Sequence, residues 1–215
     1  RTAPAIGVPL SVATTVARAD GGFDELPVGT QRSSPAQVWV QGVDKCGFTT
    51  ARTLALTKGD HHDEWPALYG AKTEWVFYQS DADTKNPDKT HVYKMSYKDR
   101  TPAKLTSGDG SFGQPCVEMK GRWIYYAART AAATELMRFQ LSSFQDPQKR
   151  LSTAGKSLRS PSPSPSGDHI AYLATAGGKT VLEVIDAKTS KLLFTAQGVV
   201  PESRICWSPD DSKVG

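Results

Sequence analysis

The stretch that decides the fold is Ser162–Thr195, which reads SPSPSGDHIAYLATAGGKTVLEVIDAKTSKLLFT. A Ser-Pro-x-Gly turn precedes the short apolar run His169–Tyr172, and the pair Gly177-Gly178 is a hairpin signal. A strand pattern follows at Val181–Asp186, and a polar turn separates it from a last strand at Lys191–Thr195. This order of signals predicts three or four antiparallel strands that follow one another along the chain.

The same order of signals recurs along the sequence. The apolar runs that open the copies are centred on Val76, Ile124, Ile170 and Val214, and their spacings are 48, 46 and 44 residues. Repeats of this length built of short strands are typical of propeller blades, because stacking sheets around an axis covers the faces of each sheet. The sequence therefore predicts an all-β fold, a β-propeller of four-stranded antiparallel blades that is incomplete within this chain.

Four segments carry a resemblance to a known repeat. They are WSPDDSKV (207–214), SPSGDHIAY (164–172), HVYKMS (91–96) and KLTSGDGSFGQP (104–115). On these motifs, residues 36–215 resemble the TolB-like (WD40-like) propeller repeat. The copies depart from the pattern at Glu118–Gly121 and Tyr69–Lys72, where Ser-Pro-Asp-Gly is expected. The resemblance is specific for architecture and implies little about activity, since such repeats serve binding proteins and enzyme accessory domains alike.

The repeat register divides the chain into predicted blades. Residues 1–35 are predicted to be an extended segment or a partial first blade, and residues 36–65 a partial blade. Whole blades are predicted at 66–114, 115–160 and 161–203, and residues 204–215 open the next one. The segment 127–138 has strong helix propensity, but the register predicts a hairpin there. We expect further chain or a neighbouring subunit to complete the propeller.

Composition excludes several classes of function. Charged residues make up 22% of the 215 residues, and the net charge of +4 comes from lysines and arginines scattered among acidic residues, so we expect no nucleic-acid partner. No apolar stretch approaches the ~20 residues of a membrane helix. The resemblance implies an exported protein, periplasmic or extracellular, with its leader removed. Cys46, Cys116 and Cys206 are predicted to be free thiols, and no cofactor is expected.

Two motifs favour a structural interpretation over a chemical one. Gly108–Gly113 matches G-x-G-x-x-G, but Pro115 and a strand follow where a phosphate-binding helix is needed. Asp81–Asn86 resembles the start of a calcium loop, but Lys85 and Val92 stand where oxygen ligands are required. We interpret the first as an interblade loop and the second as a solvated hairpin loop. No G-x-S-x-G nucleophile motif occurs, and no catalytic residue is predicted.

One connecting loop concentrates polar and aromatic groups. It contains His61, His62, Asp63, Glu64 and Trp65. Neighbours in an extended segment point in opposite directions, so at most two of these side chains face one ion, and no metal site is predicted. Asp63 is expected to make structural hydrogen bonds. Trp65 is a candidate contact residue because the loop opens toward a propeller face, and the five residues form the predicted binding site.

The predicted function is non-catalytic. We expect a rigid propeller scaffold that binds a protein or other macromolecular partner through its interblade loops and central opening, as part of a larger exported protein. The resemblance leaves alternatives open: an accessory propeller of a prolyl-oligopeptidase-like hydrolase or of a polysaccharide lyase, or a structural subunit of an extracellular assembly. A lyase would need several histidine and acidic ligands at one channel mouth, and the chain has four histidines.

Overall fold

The structure, a computed structural model, describes residues 26–31, 37–43, 49–69, 75–86, 88–96, 99–131, 134–143, 149–151, 155–200 and 205–215. These residues form strands, turns and bends, and none of them lies in a helix. Within these ranges there is accordingly no apolar helix of membrane-spanning length. The prediction of an all-β chain is confirmed. Cys46 and most of the predicted extended segment 1–35 lie outside the described residues.

The described residues fall into two compact units that divide between Lys104 and Leu105. The unit that ends at Lys104 holds two antiparallel sheets, each with its strands in chain order. The first sheet consists of β1 (Leu26–Gln31), β2 (Gln37–Val43) and β3 (Thr49–Ala55). The second sheet consists of β4 (Asp63–Tyr69), β5 (Trp75–Ser80), β6 (His91–Ser96) and β7 (Pro102–Lys104). Strand β4 packs beside β1.

The unit that begins at Leu105 also holds two antiparallel sheets with strands in chain order. The third sheet consists of β8 (Ser111–Val117), β9 (Trp123–Arg129), β10 (Thr134–Gln140) and β11 (Lys149–Arg150). The fourth sheet consists of β12 (Ser157–Pro163), β13 (His169–Ala176), β14 (Lys179–Asp186) and β15 (Leu192–Ala196). After β15, Trp207 and Val214 form an isolated antiparallel bridge, where a further copy is predicted to open.

The fourth sheet buries apolar side chains on both faces. Successive residues of a strand point to opposite faces, so Ile170 and Tyr172 lie on one side of β13 and Leu173 on the other. The first side packs on the third sheet through Tyr125 and its neighbours, and the second packs on the segment that contains Trp207. A sheet covered on both faces is what stacked blades require.

The second sheet also buries apolar side chains on both faces. Val76, Tyr78 and Met95 form an apolar cluster with Leu56 on one face. Phe77 lies between Val76 and Tyr78 on β5, so its side chain, fully buried, points to the opposite face. The short edge strand β7 is exposed and begins with a proline, which is a common way of blocking further strand pairing.

The turn between the first and second strands of a blade has one geometry wherever it is described. It closes with a backbone hydrogen bond of 2.7 to 3.0 Å from its fourth residue to its first, and the fourth residue has a positive φ of 61 to 76°. The three turns are Glu118–Gly121, Ser164–Gly167 and Ser208–Asp211. Glu118–Gly121 therefore keeps the turn although it departs from the Ser-Pro-Asp-Gly pattern.

The hairpin predicted over the helix-prone segment 127–138 is confirmed. Strands β9 and β10 pair in continuous register, with Arg129 opposite Thr134. Leu136 and Phe139 are both buried in β10. An exposed amphipathic helix would leave one face of this segment in water, whereas the strand buries residues on both sides of the sheet. Tertiary burial thus overrides local helix propensity here.

Candidate functional site

The five predicted site residues lie together at the start of the second sheet. His61 and His62 precede β4, and Asp63, Glu64 and Trp65 are its first residues. The sequence places Trp65 in a connecting loop, whereas the structure places it within the strand. The strand is irregular at this point, since its register with β5 shifts between Glu64 and Ala67. The irregularity decides how the tryptophan is presented.

Trp65 has a left-handed backbone conformation, with φ of 55°, immediately before Pro66. A positive φ is uncommon for a residue with a side chain and for a bulky residue marks strain or a special turn. The bulge leaves the residue out of the regular ladder, and 46% of its surface is exposed. Trp65 is one of the exposed large apolar residues in the part of the chain that the structure describes; the others are Met119, Leu192, Leu193, Phe194 and Val200. The bulge in β4 thus places the indole of Trp65 at the surface.

The same bulge occurs in the other unit. Gln114 precedes Pro115 in β8 and Ser160 precedes Pro161 in β12, and both have φ of 52°. Each lies within a register shift between the first and second strands of its sheet. There the side chain of Gln114 has a structural use, because its Oε1 accepts a hydrogen bond of 2.6 Å from the Ser160 backbone N–H. The bulge before proline is therefore a repeated element of the first strands.

His62 ties the segment before β4 to the turn after β5. The Asp81 carboxylate is almost completely buried and accepts a 2.6 Å hydrogen bond at Oδ1 from the His62 backbone N–H. Its Oδ2 lies 3.3 Å from Nδ1 of the His62 imidazole. The turn itself is closed by bonds from Thr84 N and Lys85 N to the Asp81 carbonyl, 3.0 and 2.7 Å long. These contacts fix the segment on which Trp65 stands.

Lys85 adds a second connection between the same two segments. Its Nζ donates a 3.1 Å hydrogen bond to the Asp60 carbonyl. Lys85 occupies the position where a calcium loop would need an oxygen ligand, and here it donates a hydrogen bond to the neighbouring loop instead. The predicted hairpin loop after β5 therefore holds the segment 60–62 in place.

Asp63 is fully buried, and burial raises the pKa of its carboxyl above the ordinary value of 3.8. The hydroxyls of Ser80 and Thr57 and the imidazole of His61 oppose this rise. Nε2 of His61 lies 3.2 Å from Oδ2 of Asp63. The His61 ring in turn packs against Gly59, where any Cβ would overlap it. Asp63 is thus enclosed by structural neighbours.

The histidines and carboxylates of this region form two separate pairs. His61 pairs with Asp63, and His62 pairs with Asp81. Within the described residues, no set of three or more histidine, cysteine or acidic side chains has a geometry suited to a metal ion. Glu64 is half-buried, and its Oε2 lies 3.5 Å from Nε2 of Gln79. The arrangement braces the backbone and leaves Trp65 as the exposed aromatic side chain of the segment 61–65.

Sequence reasoning missed two parts of this arrangement. It did not identify Asp81 as the partner of His62, because the two are 19 residues apart and only the pairing of β4 with β5 brings them together. It also did not identify the bulges. A signal was present, since a proline stands nine or ten residues before the centre of the apolar run in three copies, at Pro66, Pro115 and Pro161.

The cysteines fit the prediction of free thiols where they are described. Cys116 and Cys206 are both unpaired. The Cys116 thiol lies 3.7 Å from the Tyr125 carbonyl, and burial raises its pKa. A thiol whose pKa is raised carries little thiolate at neutral pH and is a poor nucleophile.

Comparison with known proteins identifies the architecture. No protein-family model matches the chain, and no curated protein matches it. The solved structure of TolB from Agrobacterium tumefaciens is similar, with 19% identity and a TM-score of 0.63 over 84% of this chain and 64% of that one. TolB from Acinetobacter baumannii is also similar, with 13% identity and a TM-score of 0.70 over 86% of this chain and 44% of that one.

A third similar structure is that of a nidogen–laminin complex, with 10% identity and a TM-score of 0.64 over 86% of this chain and 67% of that one. The chain thus spans about two thirds of one TolB chain and less than half of the other. The predicted TolB-like β-propeller fold, built of four-stranded antiparallel blades, is confirmed.

Proposed function

We propose that this chain is a non-catalytic propeller scaffold that binds a protein partner, and that Trp65 is a contact residue of the binding surface. The observation that carries the proposal is the exposed indole of Trp65 at a left-handed bulge in the first strand of its blade. Tryptophan is enriched at the centres of protein interfaces, where its large apolar area and single N–H donor are both used.

The backbone around Trp65 is prepared for binding. His62, Asp81 and Lys85 connect the segment before β4 to the turn after β5 through the contacts described above. A contact residue whose backbone is already fixed loses less conformational entropy when a partner binds. The buried Asp63 belongs to the same segment, and its Oδ2 lies 3.2 Å from Nε2 of His61. The five residues predicted from the sequence therefore divide into one contact residue and a supporting set.

The position of Trp65 in its blade agrees with this role. In a propeller the blades surround a central channel. The bulge that holds Trp65 is in the first strand of its blade, as are the bulges at Gln114 and Ser160. Loops and irregular strands on a rigid scaffold are where binding residues are most often found. We propose that the partner approaches the blade from the side that carries this bulge.

An exported location is part of the proposal. The fold is shared with TolB structures, and one similar structure contains nidogen in complex with laminin, which is a protein–protein assembly. These likenesses support a periplasmic or extracellular protein that works through contacts with other proteins. Fractionation of the producing cells, with the protein found outside the cytoplasm, is the expected result.

The binding role can be tested by photo-crosslinking. Trp65 is replaced by p-benzoylphenylalanine, which is aromatic and of similar size, and the cells that produce the protein are irradiated. We expect one discrete adduct with a protein. The control places the same group at Met119, which is 71% exposed in a turn of the third sheet. An adduct at both positions, or at neither, would contradict the proposal.

A competition experiment separates binding from folding. Unlabelled wild-type protein and the Met119→Ala variant are expected to suppress the adduct, whereas Trp65→Ala does not. Removing a hot-spot tryptophan costs about 2 kcal/mol or more, which weakens competition roughly thirtyfold. Equal competition by the two variants would show that Trp65 makes no contact with the partner.

A further inference from the structure

We propose that the outer edge of β15 is a second interaction surface, where an extended acidic segment of a partner protein adds to the fourth sheet as a further strand. β15 (Leu192–Ala196) is the last strand in the order of that sheet, and no strand within the described ranges pairs with its other side. The backbone groups of that side can therefore pair with another chain. Trp65 belongs to the other unit, so the two surfaces are independent of each other.

The edge of β15 differs from the last strands of the second and third sheets. Strand β7 has three residues and begins with a proline, and β11 has two residues. Short edge strands and edge prolines are common devices that prevent a sheet from pairing with another chain. β15 has five residues, LLFTA, with neither a proline nor a charged residue among them. The devices that shorten or block β7 and β11 are thus not used in β15.

Both apolar faces of the fourth sheet continue into β15. Phe194 is opposite Val184 and therefore extends one of the two faces, because cross-strand partners point to the same side. Leu192 is opposite Ile185 and extends the other face. Leu193, between them, is the extra residue of a register shift. These three apolar residues are 48 to 52% exposed, so an added strand would cover apolar surface on both faces.

The charges beside the strand favour an acidic partner. Lys191 directly precedes β15 and Lys188 lies in the turn before it, and both are exposed. Neither ammonium group forms an ion pair with a residue that the structure describes. The carboxylate of this turn, Asp186, accepts hydrogen bonds at Oδ1 from the backbone N–H of Lys188 and from the N–H and hydroxyl of Thr189. From residue 188 to residue 200 the sequence has these two lysines and no acidic residue.

The observations define the partner by three features. It is extended, because backbone hydrogen bonds to a sheet edge require a strand. It carries apolar side chains at alternate positions, which cover Leu192 and Phe194. It has an acidic residue at the end that lies beside Lys191, since complementary charges at the rim of an interface select the partner and its register.

The experiment is an NMR titration of the wild-type chain with a synthetic peptide, Glu-Glu-Thr-Val-Thr-Val-Thr-Val, blocked at both termini. We expect saturable shifts of the backbone N–H signals of residues 192–196 and slower hydrogen exchange of those amides that exchange fast in the free chain. The proposal is wrong if no saturable shift occurs at these residues. Slow exchange of all five amides without peptide would also overturn it, because another segment of the same chain would then cover the edge.

Two N-methylated versions of the peptide test whether binding occurs by strand pairing. One carries methyl groups on the backbone nitrogens of its threonines, and the other carries them on those of its valines. Alternate N–H groups of a strand point to opposite edges, so one version should bind like the unmodified peptide and the other should not bind. Equal binding of the two versions would contradict strand addition.

Lys191→Glu tests the acidic character of the partner. The wild-type chain should bind the acidic peptide roughly two- to fivefold more tightly than the same peptide with two lysines in place of the glutamates, which is the range of an exposed ion pair. The variant should reverse this order. Lys179→Glu makes the same charge change at the far end of β14 and should keep the wild-type order. Reversal in both variants, or in neither, would contradict the proposal.

Phe194→Thr tests the apolar contact. Threonine is a good strand former and the phenylalanine is about half exposed, so the fold is expected to persist. The affinity for the acidic peptide should fall about fivefold, because less apolar surface is covered. Val200→Thr removes an exposed apolar side chain beyond the end of β15 and serves as the control. Equal affinities of the two variants would overturn the proposal.

Sedimentation of the wild-type chain separates a partner strand from a second copy of the chain. We expect a monomer that binds the acidic peptide. A dimer that Phe194→Thr abolishes, together with the absence of peptide binding, would assign the edge of β15 to self-association and would overturn the proposal.

Discussion

At the scale of single residues, the structure contains a few positions where the backbone conformation restricts which amino acid can be present. Gly167 is one of them. Its φ is +76°, and a Cβ there would overlap the carboxyl of the buried Glu118. Arg122 donates a 2.9 Å hydrogen bond from Nε to that carboxylate, so Glu118 is not free to move away. Gly167 is therefore required both by conformation and by space.

Gly167→Ala is expected to destabilise the protein more than the left-handed conformation alone explains. The positive φ costs about 1–2 kcal/mol for an alanine, and displacing Glu118 from Arg122 adds to that. Gly177→Ala is the matched control, since Gly177 has φ of +56° and open space around its Cβ position. Urea unfolding measures both. A free-energy loss at position 167 no larger than that at 177 would show that Glu118 yields without cost.

Asp63 makes a prediction about pH. Burial raises the pKa of its carboxyl above 3.8, so the folded state holds the proton more tightly than the unfolded state. The stability that this group contributes is complete below its unfolded pKa and is lost as the pH rises through the folded pKa. Asp63→Asn removes this dependence. The unfolding free energy of the wild type relative to the variant should therefore fall as the pH rises from about 4 toward neutrality.

Asp210 provides a comparison of opposite sign. Hydrogen bonds from Ser208 and Ser212 lower the pKa of its carboxyl to about 2. Its contribution is present above the unfolded value of 3.8 and is lost as the pH falls through the folded pKa. Asp210→Asn should thus cost stability at neutral pH and little in strong acid. The same denaturation series checks both aspartates, and parallel pH profiles for the two variants would contradict the assignment.

At the scale of secondary-structure elements, Arg138 joins the third and fourth sheets. This side chain of β10 is only 8% exposed, and its Nη1 donates a 2.6 Å hydrogen bond to the carbonyl of Ala187, the residue directly after β14. The guanidinium carbon also lies 4.2 Å from the centre of the Trp123 ring. Two further contacts join neighbouring segments: Gln114 to the Ser160 N–H, and the Trp207 indole N–H to the Ser162 carbonyl. These bonds fix how neighbouring strands stack.

Arg138→Met is expected to lower the unfolding free energy by about 2–4 kcal/mol, from a lost charge-assisted hydrogen bond and a lost cation–π contact. Arg138→Lys keeps the charge but not the planar fork, so it should recover only part of the loss. Chemical denaturation measures the series. An unfolding free energy of Arg138→Lys equal to that of the wild type would show that the positive charge is sufficient. An unchanged unfolding free energy in Arg138→Met would show that the apolar core between the sheets is sufficient.

The strands that sequence patterns predicted are those with regular apolar runs, such as β5, β9 and β13. The first strands of the sheets were harder to predict because they are poor strand formers. In β12, SLRSPSP contains two prolines and three serines, and its bulge places Ser160 in the left-handed region. This segment forms a strand because it pairs with β13 and because Leu158 is buried in the apolar core. Neither contact can be inferred from the local sequence.

At the scale of the whole molecule, the repeat explains what could be predicted. Spacings of 44 to 48 residues between the apolar runs predicted the propeller, because a period survives even where single copies diverge. The proposed binding site could be predicted only in part. The cluster 61–65 was visible in sequence, but the roles within it depend on Asp81 and on the bulge, which arise from strand pairing. Trp65 remains the residue whose function is proposed.

Trp65→Ala tests whether function and stability are separate properties of this fold. The side chain is about half exposed, and substitutions at such surface positions usually change stability by about 0.5 kcal/mol or less. We therefore expect nearly unchanged thermal unfolding together with loss of the partner adduct in the competition experiment. The bulge itself should persist, since Pro66 and the His62–Asp81 contacts remain. A large drop in thermal stability would instead identify Trp65 as part of the core, and the partner-binding proposal would lose its main support.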